Sequence, residues 1–437
     1  MTVLTYTLGV LLFVVGVAAS IGLHELGHLV PGKLFGVKVT QYFIGFGRTL
    51  WSRQRGETEY GVKAVPLGGY VKLIGMLPPA PGEDPSRVRS SNTGIVSQII
   101  SDARRAEYEL VGEGDEDRVF YKLPWWKKVV VMVSGVMTNL VIAFVLFAIV
   151  FMGHGVVTPT TTVASVSTCV VAVPKAATGK PRACTAADPV SPAKLAGLRA
   201  GDRIVSFNGR AITDWTDLRS AITGNENGRA AIVVVRDGTR LTLHTTTTVT
   251  ARTDPADPQR KVRTGFLGVS PAQRLERQDV GFVVSTMASG TWQTIKSIGS
   301  LPVKVYHVGR AALGLEKRDQ NGPMSVVGAG RVAGELTSQQ AVPAGTRFFS
   351  VLLLLAGLNL FLGVLNLVPL LPLDGGQIAG ALYEGLRRGI ARLLRRPDPG
   401  FVDVAKLLPI GYVMAGVILV ISVVLIYADI VAPISLT

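Results

Sequence analysis

Cysteine and charge are both scarce in this chain of 437 residues, and each scarcity excludes a class of protein. The only cysteines are Cys169 and Cys184, which are too few for a zinc site with three or four cysteine ligands. Charged residues make up 17% of the chain and hydrophobic residues 48%, a balance that argues against a purely soluble protein. The composition therefore predicts a membrane protein with a soluble part.

The chain also lacks the basic motifs with interleaved aromatic residues that mark nucleic-acid binders. A formal net charge of +15 would suit nucleic acid, but it also suits basic loops at the cytoplasmic face of a membrane. We favour the second interpretation. We therefore expect the lipid bilayer, and no nucleic acid, among the partners of this protein.

Four apolar stretches are long enough to cross a bilayer. They cover residues 2–30, 129–152, 348–373 and 407–428. The first stretch carries no charge through Leu23 and lacks the basic segment that opens a cleavable signal peptide, so we expect it to be retained. The sequence thus predicts a polytopic α-helical membrane protein with four transmembrane helices.

The distribution of lysine and arginine predicts the orientation of these spans. Basic residues follow the first span, precede the second and fill the connection between the third and the fourth. We expect residues 31–128 and 374–406 in the cytoplasm, and residues 153–346 and both termini outside it. Cys169 and Cys184 then lie outside the cytoplasm, where either a disulfide closing a short loop or two free thiols would fit.

The segments that connect the apolar stretches differ in amino-acid composition. Residues 40–76 combine alternating apolar residues with glycine, which predicts a small hairpin or sheet. Residues 77–118 are polar with an acidic cluster, which predicts a flexible insertion. Residues 158–250 show the strand and turn pattern of a compact β-rich unit, with an Asn-Gly hairpin turn at Asn208. Residues 251–346 are predicted to be a linker with an amphipathic element.

An H-E-x-x-H motif lies in the first apolar stretch, at His24, Glu25 and His28. Residues four apart share one face of a helix, so both imidazoles can reach one metal ion. Glu25 lies beside them, where it could take a proton from a metal-bound water. The alternative is a pair of histidines satisfied by carbonyl groups. That alternative explains neither the spacing nor the placement of costly polar groups in an apolar segment.

Two histidines leave such a metal short of a protein ligand. The third apolar stretch contains Pro369 and Pro372, which break a helix, and Asp374 follows it at a depth expected to match that of His24. A carboxylate there would complete a His-His-Asp site with one open position. Alternatively, Asp374 caps a helix that begins at Gly375. We favour ligation because the H-E-x-x-H motif lies on a neighbouring span.

Three asparagines interrupt the apolar stretches, at Asn139, Asn359 and Asn366. Asn366 precedes Asp374 closely enough that its amide could donate to a scissile carbonyl or to the oxyanion formed from it. A hydrogen bond between helices is the alternative role for Asn366. The same alternative is stronger for Asn139 and Asn359.

Together these segments resemble the site-2 intramembrane metalloproteases, most closely the bacterial branch of actinobacterial type with one PDZ domain. The resemblance rests on the metal-motif helix, on the Gly-Phe-Gly and Gly-Gly-Tyr-Val-Lys segments, and on the Asn-x-x-Pro that leads into Leu-Asp-Gly-Gly. It implies one Zn²⁺ per chain, held by His24, His28 and Asp374. It also implies Glu25 as the general base and Asn366 as a substrate or oxyanion contact.

The same resemblance implies roles for the soluble segments. Residues 40–76 would form a membrane-associated cytoplasmic β-loop, in which Gly68, Gly69 and Tyr70 guide the substrate as an added strand. Residues 158–250 would form an extracytoplasmic PDZ domain of α+β fold, which binds a peptide tail or excludes large ectodomains.

The implied activity is cleavage within the transmembrane segments of single-pass membrane proteins, in the cytoplasmic membrane of a bacterium. The substrates would be anti-sigma factors or similar regulators after a first cleavage, or remnant signal peptides. One departure is Gln377, where many relatives have histidine, and we expect little consequence because zinc already has its ligands. An inactive PDZ scaffold and a transporter are the competing classes. A full ligand set with Glu25 argues against the scaffold, and the lack of inverted hydropathy repeats argues against the transporter.

Overall fold

Most of the β-strands lie in one segment of this chain, and the long apolar helices lie before and after that segment. The computed structural model describes residues 2–79, 95–171, 183–253, 261–340 and 342–434. The chain divides into a helical unit, residues 1–154 and 278–437, and a second unit, Gly155–Arg277, that is mostly β.

Ten α-helices lie among the described residues. In chain order they are α1 (Thr2–Leu34), α2 (Ile95–Tyr108), α3 (Trp125–Ala148), α4 (Pro192–Leu195), α5 (Trp215–Gly224), α6 (Val280–Ala312), α7 (Val326–Ser338), α8 (Ala344–Asn366), α9 (Asp374–Leu393) and α10 (Leu408–Val431). The strands are β1 (Val39–Arg55), β2 (Thr58–Leu73), β3 (Val156–Val166), β4 (Arg203–Phe207), β5 (Arg210–Ala211), β6 (Arg229–Arg236), β7 (Thr239–Thr246), β8 (Thr248–Thr253), β9 (Lys261–Phe266) and β10 (Val269–Glu276).

Within the described ranges, four helical stretches are long and apolar enough to cross a membrane. They are Val3–Leu34, Trp125–His154, Ala344–Asn366 and Val404–Val431. These stretches correspond to α1, to α3 with a short π-helical turn after it, to α8, and to α10 with the turn before it. The expectation of a polytopic α-helical membrane protein is confirmed at this level.

The third predicted span, residues 348–373, is too long. Helix α8 ends at Asn366, and the chain turns through Pro369 and a cis peptide bond at Leu371–Pro372 before α9 begins at Asp374. The cause is chemical, because proline has no backbone N–H to continue a helix and its ring clashes with the preceding turn. The apolar composition of residues 367–373 concealed this break.

Residues 251–346, predicted to be a linker with an amphipathic element, contain two helices of the helical unit. Helix α7 packs against α1, where Ala333 and Phe13 are both fully buried and the Tyr6 ring lies directly against Gly334. Helix α6 packs against α10 through a shared core that includes Val308 and Ala428. The linker prediction was wrong because the short, glycine-rich α7 segment carries little hydropathy signal, although its small residues allow close helix packing.

The predicted flexible insertion, residues 77–118, was wrong in its described part. Helix α2 packs the half-buried Ile100 and Ala103 against Leu77, Val404 and Ala405. Charged and uncharged polar residues are mixed with the apolar residues of this helix, so its average polarity concealed the helical period of its apolar face. Residues 80–94 of the predicted insertion lie outside the described residues.

Strands β1 and β2 both bend, so that their two-stranded sheet contains four short segments. Residues 41–44 pair on one side with residues 69–72 and on the other with residues 59–62. Residues 52–55 pair with the outer side of the 58–61 segment. The segment 69–73 is therefore one edge of the sheet, and among the described residues its outer side pairs with no other strand.

The second unit, Gly155–Arg277, is longer than the predicted 158–250. Its main sheet has the order β10-β3-β4-β6-β7, with β5 beside β4, so β10 pairs with the first strand of the unit. The predicted Asn-Gly turn joins β4 to β5 with positive φ at both Asn208 and Gly209, as a tight hairpin requires. Cys169 and Cys184 form a disulfide and are therefore not the two free thiols that the sequence also allowed.

Candidate metal centre

Three side chains from two distant parts of the chain meet at one point in the helical unit. Helix α1 supplies His24 and His28, and the first residue of α9 supplies Asp374. The two Nε2 atoms lie 3.3 Å apart, and the Asp374 Oδ2 atom lies 3.3 Å from His24 Nε2 and 3.4 Å from His28 Nε2. The three ligand atoms therefore form a nearly equilateral triangle.

This triangle has the dimensions of a zinc site. In a tetrahedral site with metal–ligand distances of about 2.0–2.1 Å, neighbouring ligand atoms lie about 3.3–3.4 Å apart. The observed separations agree with that value on all three sides. Two imidazole nitrogens and one carboxylate are also a donor set that zinc accepts, with the fourth position left open. His24, His28 and Asp374 thus fit the metal.

The second span orients His28. Its Nδ1 atom lies 2.9 Å from the carbonyl oxygen of Val131 in α3. A carbonyl oxygen can only accept, so Nδ1 carries a proton, and in the neutral ring that a metal ligand requires, Nε2 presents its lone pair to Asp374. Two electron-rich atoms would repel each other at this distance, whereas a cation between them would attract both. The tautomer of His28 therefore supports metal binding.

Two glycines let α1 and α3 approach closely enough for this contact. A Cβ atom at Gly135 would lie 2.2 Å from His28 Nε2, and one at Gly27 would lie 2.6 Å from the Thr138 hydroxyl. The imidazole of His28 thus lies directly on the backbone of α3. Small residues at a helix crossing permit such close approach in membrane proteins.

Glu25 lies between the candidate ligands and the edge of the small sheet. A Cβ atom at Gly69 would lie 3.0 Å from Glu25 Cγ, so the Glu25 side chain lies beside the backbone of the sheet edge. The hydroxyl of Tyr42 donates to the carbonyl oxygen of Gly22, 2.7 Å away, which attaches the sheet to the metal-motif helix. The sheet edge and the candidate general base are therefore in direct contact.

Asp374 is not a helix cap. The N-cap residue of α9 is Leu373, and no side chain caps that end. A Cβ at Gly375 would lie 2.2 Å from the carbonyl oxygen of Val368, and one at Gly376 would lie 2.8 Å from the amide nitrogen of Leu371. The two glycines after Asp374 therefore let the first turn of α9 lie against the backbone of the preceding loop.

A cavity of about 640 Å³ opens beside these residues. Its lining includes His24, Glu25 and Asp374, together with residues of the sheet edge, α2 and α10. Glu107 in α2 also lines the cavity, and its carboxylate accepts a 3.1 Å hydrogen bond from the amide of Met76. Burial raises the pKa of the Glu107 carboxyl above its ordinary value.

The other predicted site residues differ in their placement. Gly69 and Tyr70 line the cavity, and so does Gln377, one turn after Asp374. Gly68 has a positive φ and lies against the Phe46 ring, and it is not among the lining residues. Asn366, the last residue of α8, is half-buried and does not line the cavity either.

Of the remaining asparagines, Asn359 follows the structural alternative, a hydrogen bond between helices, whereas the amide oxygen of Asn139 has no hydrogen-bond partner among the described residues. Asn359 donates to the Ser20 hydroxyl, 3.0 Å away, and to the Leu355 carbonyl oxygen, 2.8 Å away. It thereby joins α8 to α1. Asn139 is buried in α3 and lies against Gly363 of α8.

Sequence reasoning missed the contribution of α3 to the site. The relevant groups are the Val131 carbonyl and the absent side chain of Gly135. Every residue has a backbone carbonyl, so the sequence cannot indicate which one accepts this hydrogen bond. The small residues Gly27, Gly135 and Thr138 were a usable signal, because they predict a close helix crossing next to the motif.

Comparison with known proteins places this chain in a family. The sequence profile described as Peptidase family M50 matches residues 12–394. The chain belongs to Peptidase family M50. The zinc metalloprotease Rip1 of Mycobacterium tuberculosis (strain ATCC 25618 / H37Rv) is 33% identical, with 99% of each chain covered. Rip1 of Mycolicibacterium smegmatis shows the same identity and coverage, and the metalloprotease MmpA of Caulobacter vibrioides is 28% identical over 86% of each chain.

Family membership confirms the resemblance seen in the sequence. This chain is a site-2-type zinc metalloprotease, and Zn²⁺ is its cofactor. The prediction of an enzyme is confirmed as well, which leaves the inactive scaffold and the transporter without support. The roles of individual residues are argued from the geometry below.

Proposed function

We propose that this protein hydrolyses peptide bonds within the transmembrane segments of single-pass membrane proteins. The observation that carries the proposal is the triangle of His24, His28 and Asp374, in which both histidines and the adjacent Glu25 lie on a helix apolar enough to span a membrane. Polar groups at such a position are costly in hydrocarbon, so their convergence on one point supports a catalytic purpose.

Several residues of this chain have separate roles in the proposed peptide hydrolysis. His24, His28 and Asp374 would hold the zinc ion, which would supply Lewis acidity toward the substrate carbonyl and a bound water. Glu25 takes the proton of the attacking water and passes it to the leaving amine. Val131 holds the His28 ring in the tautomer that a ligand requires. Asn366 is assigned to contact the substrate carbonyl or oxyanion, a role that the family resemblance supports.

The substrate must be extended before it can be cut. A transmembrane helix hides its amides in internal hydrogen bonds, so it has to unwind. The open sheet edge at residues 69–73 supports strand addition, because Gly69 and Tyr70 line the cavity next to Glu25. An extended segment on this edge would pass close to the candidate ligands.

We assign the protein to a bacterial cytoplasmic membrane, with both termini and the second unit outside the cytoplasm. The distribution of basic residues supports this orientation, and so does the Cys169–Cys184 disulfide, which suits an oxidising compartment. The second unit is assigned as a PDZ domain that binds a peptide tail or excludes large ectodomains. Its strand–helix order and its Asn-Gly hairpin support that assignment.

The proposed substrates are regulators such as anti-sigma factors after a first cleavage, or remnant signal peptides. An active site inside the membrane favours substrates that have short ectodomains. Release of a cytoplasmic fragment would make the protein a step in stress signalling.

The test is Glu25→Gln in the full chain. This variant should keep about one zinc per chain and its thermal stability but lose cleavage of a reconstituted single-pass substrate, because an amide cannot accept the proton. Glu226→Gln, which removes an exposed carboxylate of the second unit, is the matched control and should cleave normally. Membrane proteomics of cells that carry Glu25→Gln would then identify the single-pass fragments that accumulate. Retained turnover by the Glu25 variant in detergent would refute the general-base role.

A further inference from the structure

Helix α9 connects two of the membrane-spanning segments and carries a large exposed apolar surface. Five of its apolar residues have side chains that are 48–83% exposed: Leu382, Tyr383, Leu386, Ile390 and Leu393. At about 100° per residue these positions fall within an arc of about 100° on one side of the helix. The opposite side packs against the protein through Ala381, Glu384 and Ala391, which are buried.

A tryptophan places this helix at the level of a membrane surface. A Cβ atom at Gly385, in the middle of α9, would lie 2.6 Å from the indole ring of Trp125. Trp125 is the first residue of α3, one of the four spanning stretches. Tryptophan at the end of a span marks the boundary between hydrocarbon and headgroups. The apolar side of α9 therefore lies at the depth where acyl chains begin.

A group of arginines lies in the second half of the same helix and just after it. Arg388 is engaged with Glu384 and Asp398, and Arg387 donates to the Pro399 carbonyl oxygen. Three more are exposed and, within the described residues, form no ion pair with an acidic side chain: Arg392, Arg395 and Arg396. Their guanidinium groups remain available for an anion from outside the protein.

One partner fits both features. An acidic protein would satisfy the arginines but not an aliphatic surface at the depth of acyl chains, whereas an anionic lipid supplies both a phosphate and a hydrocarbon tail. We propose that α9 lies in the surface of the bilayer, with its apolar side among acyl chains and Arg392, Arg395 and Arg396 bound to anionic phospholipid headgroups.

The test uses a fluorescent label at Leu386→Cys in the full chain. Cys169 and Cys184 are joined, so the new thiol is unique under non-reducing conditions. The protein is reconstituted into vesicles that contain brominated phosphatidylglycerol or brominated phosphatidylcholine at equal mole fractions. The brominated chains should quench the label and aqueous iodide should not. Phosphatidylglycerol should quench about two-fold more strongly than phosphatidylcholine, since the arginines enrich it locally.

The decisive variant combines Arg392→Gln, Arg395→Gln and Arg396→Gln. It should bring the quenching ratio of the two lipids down to about one, while the label stays shielded from iodide. The matched control combines Arg199→Gln, Arg219→Gln and Arg240→Gln. These are exposed arginines of the second unit, so the net charge changes equally and the two-fold ratio should remain.

Three results would overturn the proposal. The first is equal quenching by the two lipids when the α9 arginines are intact, and the second is an excess that survives their replacement. The third is a label shielded from lipid and iodide alike, which would mean that a protein, such as a second copy of this chain, covers the surface. A label at Gly389→Cys, where a Cβ contacts nothing within 4 Å, repeats the measurement at a second position.

Discussion

At the candidate metal site, glycines matter as much as the ligands, because the absence of a side chain leaves room for the functional groups. Gly135 leaves room for the imidazole of His28, and Gly69 leaves room for the carboxylate chain of Glu25. Gly375 and Gly376 let Asp374 begin a helix directly against the loop that leads to it. Each glycine is therefore a steric requirement of a neighbouring functional side chain.

Gly135→Ala tests this requirement. A methyl group 2.2 Å from His28 Nε2 cannot be accommodated, so the ring must rotate away from Val131 and lose its orientation. Loss of such an orienting contact lowers metal affinity by about 10–100-fold. Zinc affinity is measured by competition with a chromogenic chelator.

The control for this prediction is Gly416→Ala in α10, where a Cβ contacts nothing within 4 Å. That variant should bind zinc as the unmodified protein does. An unchanged zinc affinity in Gly135→Ala would show that the contact between α1 and α3 does not position His28.

At the scale of elements, a buried ion pair fastens α9 to α3. Lys128 Nζ lies 2.7 Å from Glu384 Oε2, and the two side chains are 8% and 2% exposed. The same oxygen accepts from the amide of Val402, and Arg388 reaches the other oxygen at 3.3 Å. The helix that begins with Asp374 is thus attached at its middle to the helix that orients His28.

Glu384→Gln should destabilise the protein strongly, because it leaves the Lys128 ammonium buried without its counter-charge. Breaking one side of a buried pair costs about 3–5 kcal/mol. The double variant Lys128→Met/Glu384→Met removes both charges and should recover most of that loss. Thermal unfolding in detergent, with zinc retention as a second readout, compares the variants. A double variant as unstable as the single one would contradict the explanation.

At the scale of the whole molecule, the second unit has its own core and its own buried ion pair. Asp202 is 1% exposed, and Arg236 contacts both of its carboxylate oxygens. The hydrogen-bonded pair with Arg236 lowers the pKa of the Asp202 carboxyl below its ordinary value. Because this pKa is lowered in the folded state, the ion pair stabilises the unit at pH values above the ordinary pKa of about 4. The stabilisation is lost as the pH falls through the lowered pKa.

Asp202→Asn should therefore destabilise the second unit by about 2 kcal/mol at pH 7, the scale of a charge-assisted hydrogen bond. The difference from the unmodified protein should shrink as the pH falls below about 4. Urea unfolding of the full chain in detergent, followed by circular dichroism at several pH values, measures this difference. Glu226→Gln, an exposed carboxylate of the same unit, should show none of it. A difference that stays constant with pH would mean that charge is not the cause.

Much of this arrangement could be predicted from the chain before its fold was known. The apolar runs predicted four spans, and the spacing of His24 and His28 predicted that both would face one ion. These inferences depend on local periodicity and composition. Helix α2 and helix α7 escaped them because polar or small residues dilute their hydropathy, although both helices pack closely.

The sequence by itself determined the chemical inventory: two imidazoles on one helical face, a carboxylate after a proline-broken helix, and a membrane environment for both. Only the tertiary structure decided that Asp374 meets both rings at 3.3–3.4 Å, that the Val131 carbonyl selects the tautomer of His28, and that an open sheet edge borders Glu25. The physical reason is that periodicity within a segment specifies which face a side chain occupies. The distance between residues that are hundreds of positions apart depends on how whole helices pack.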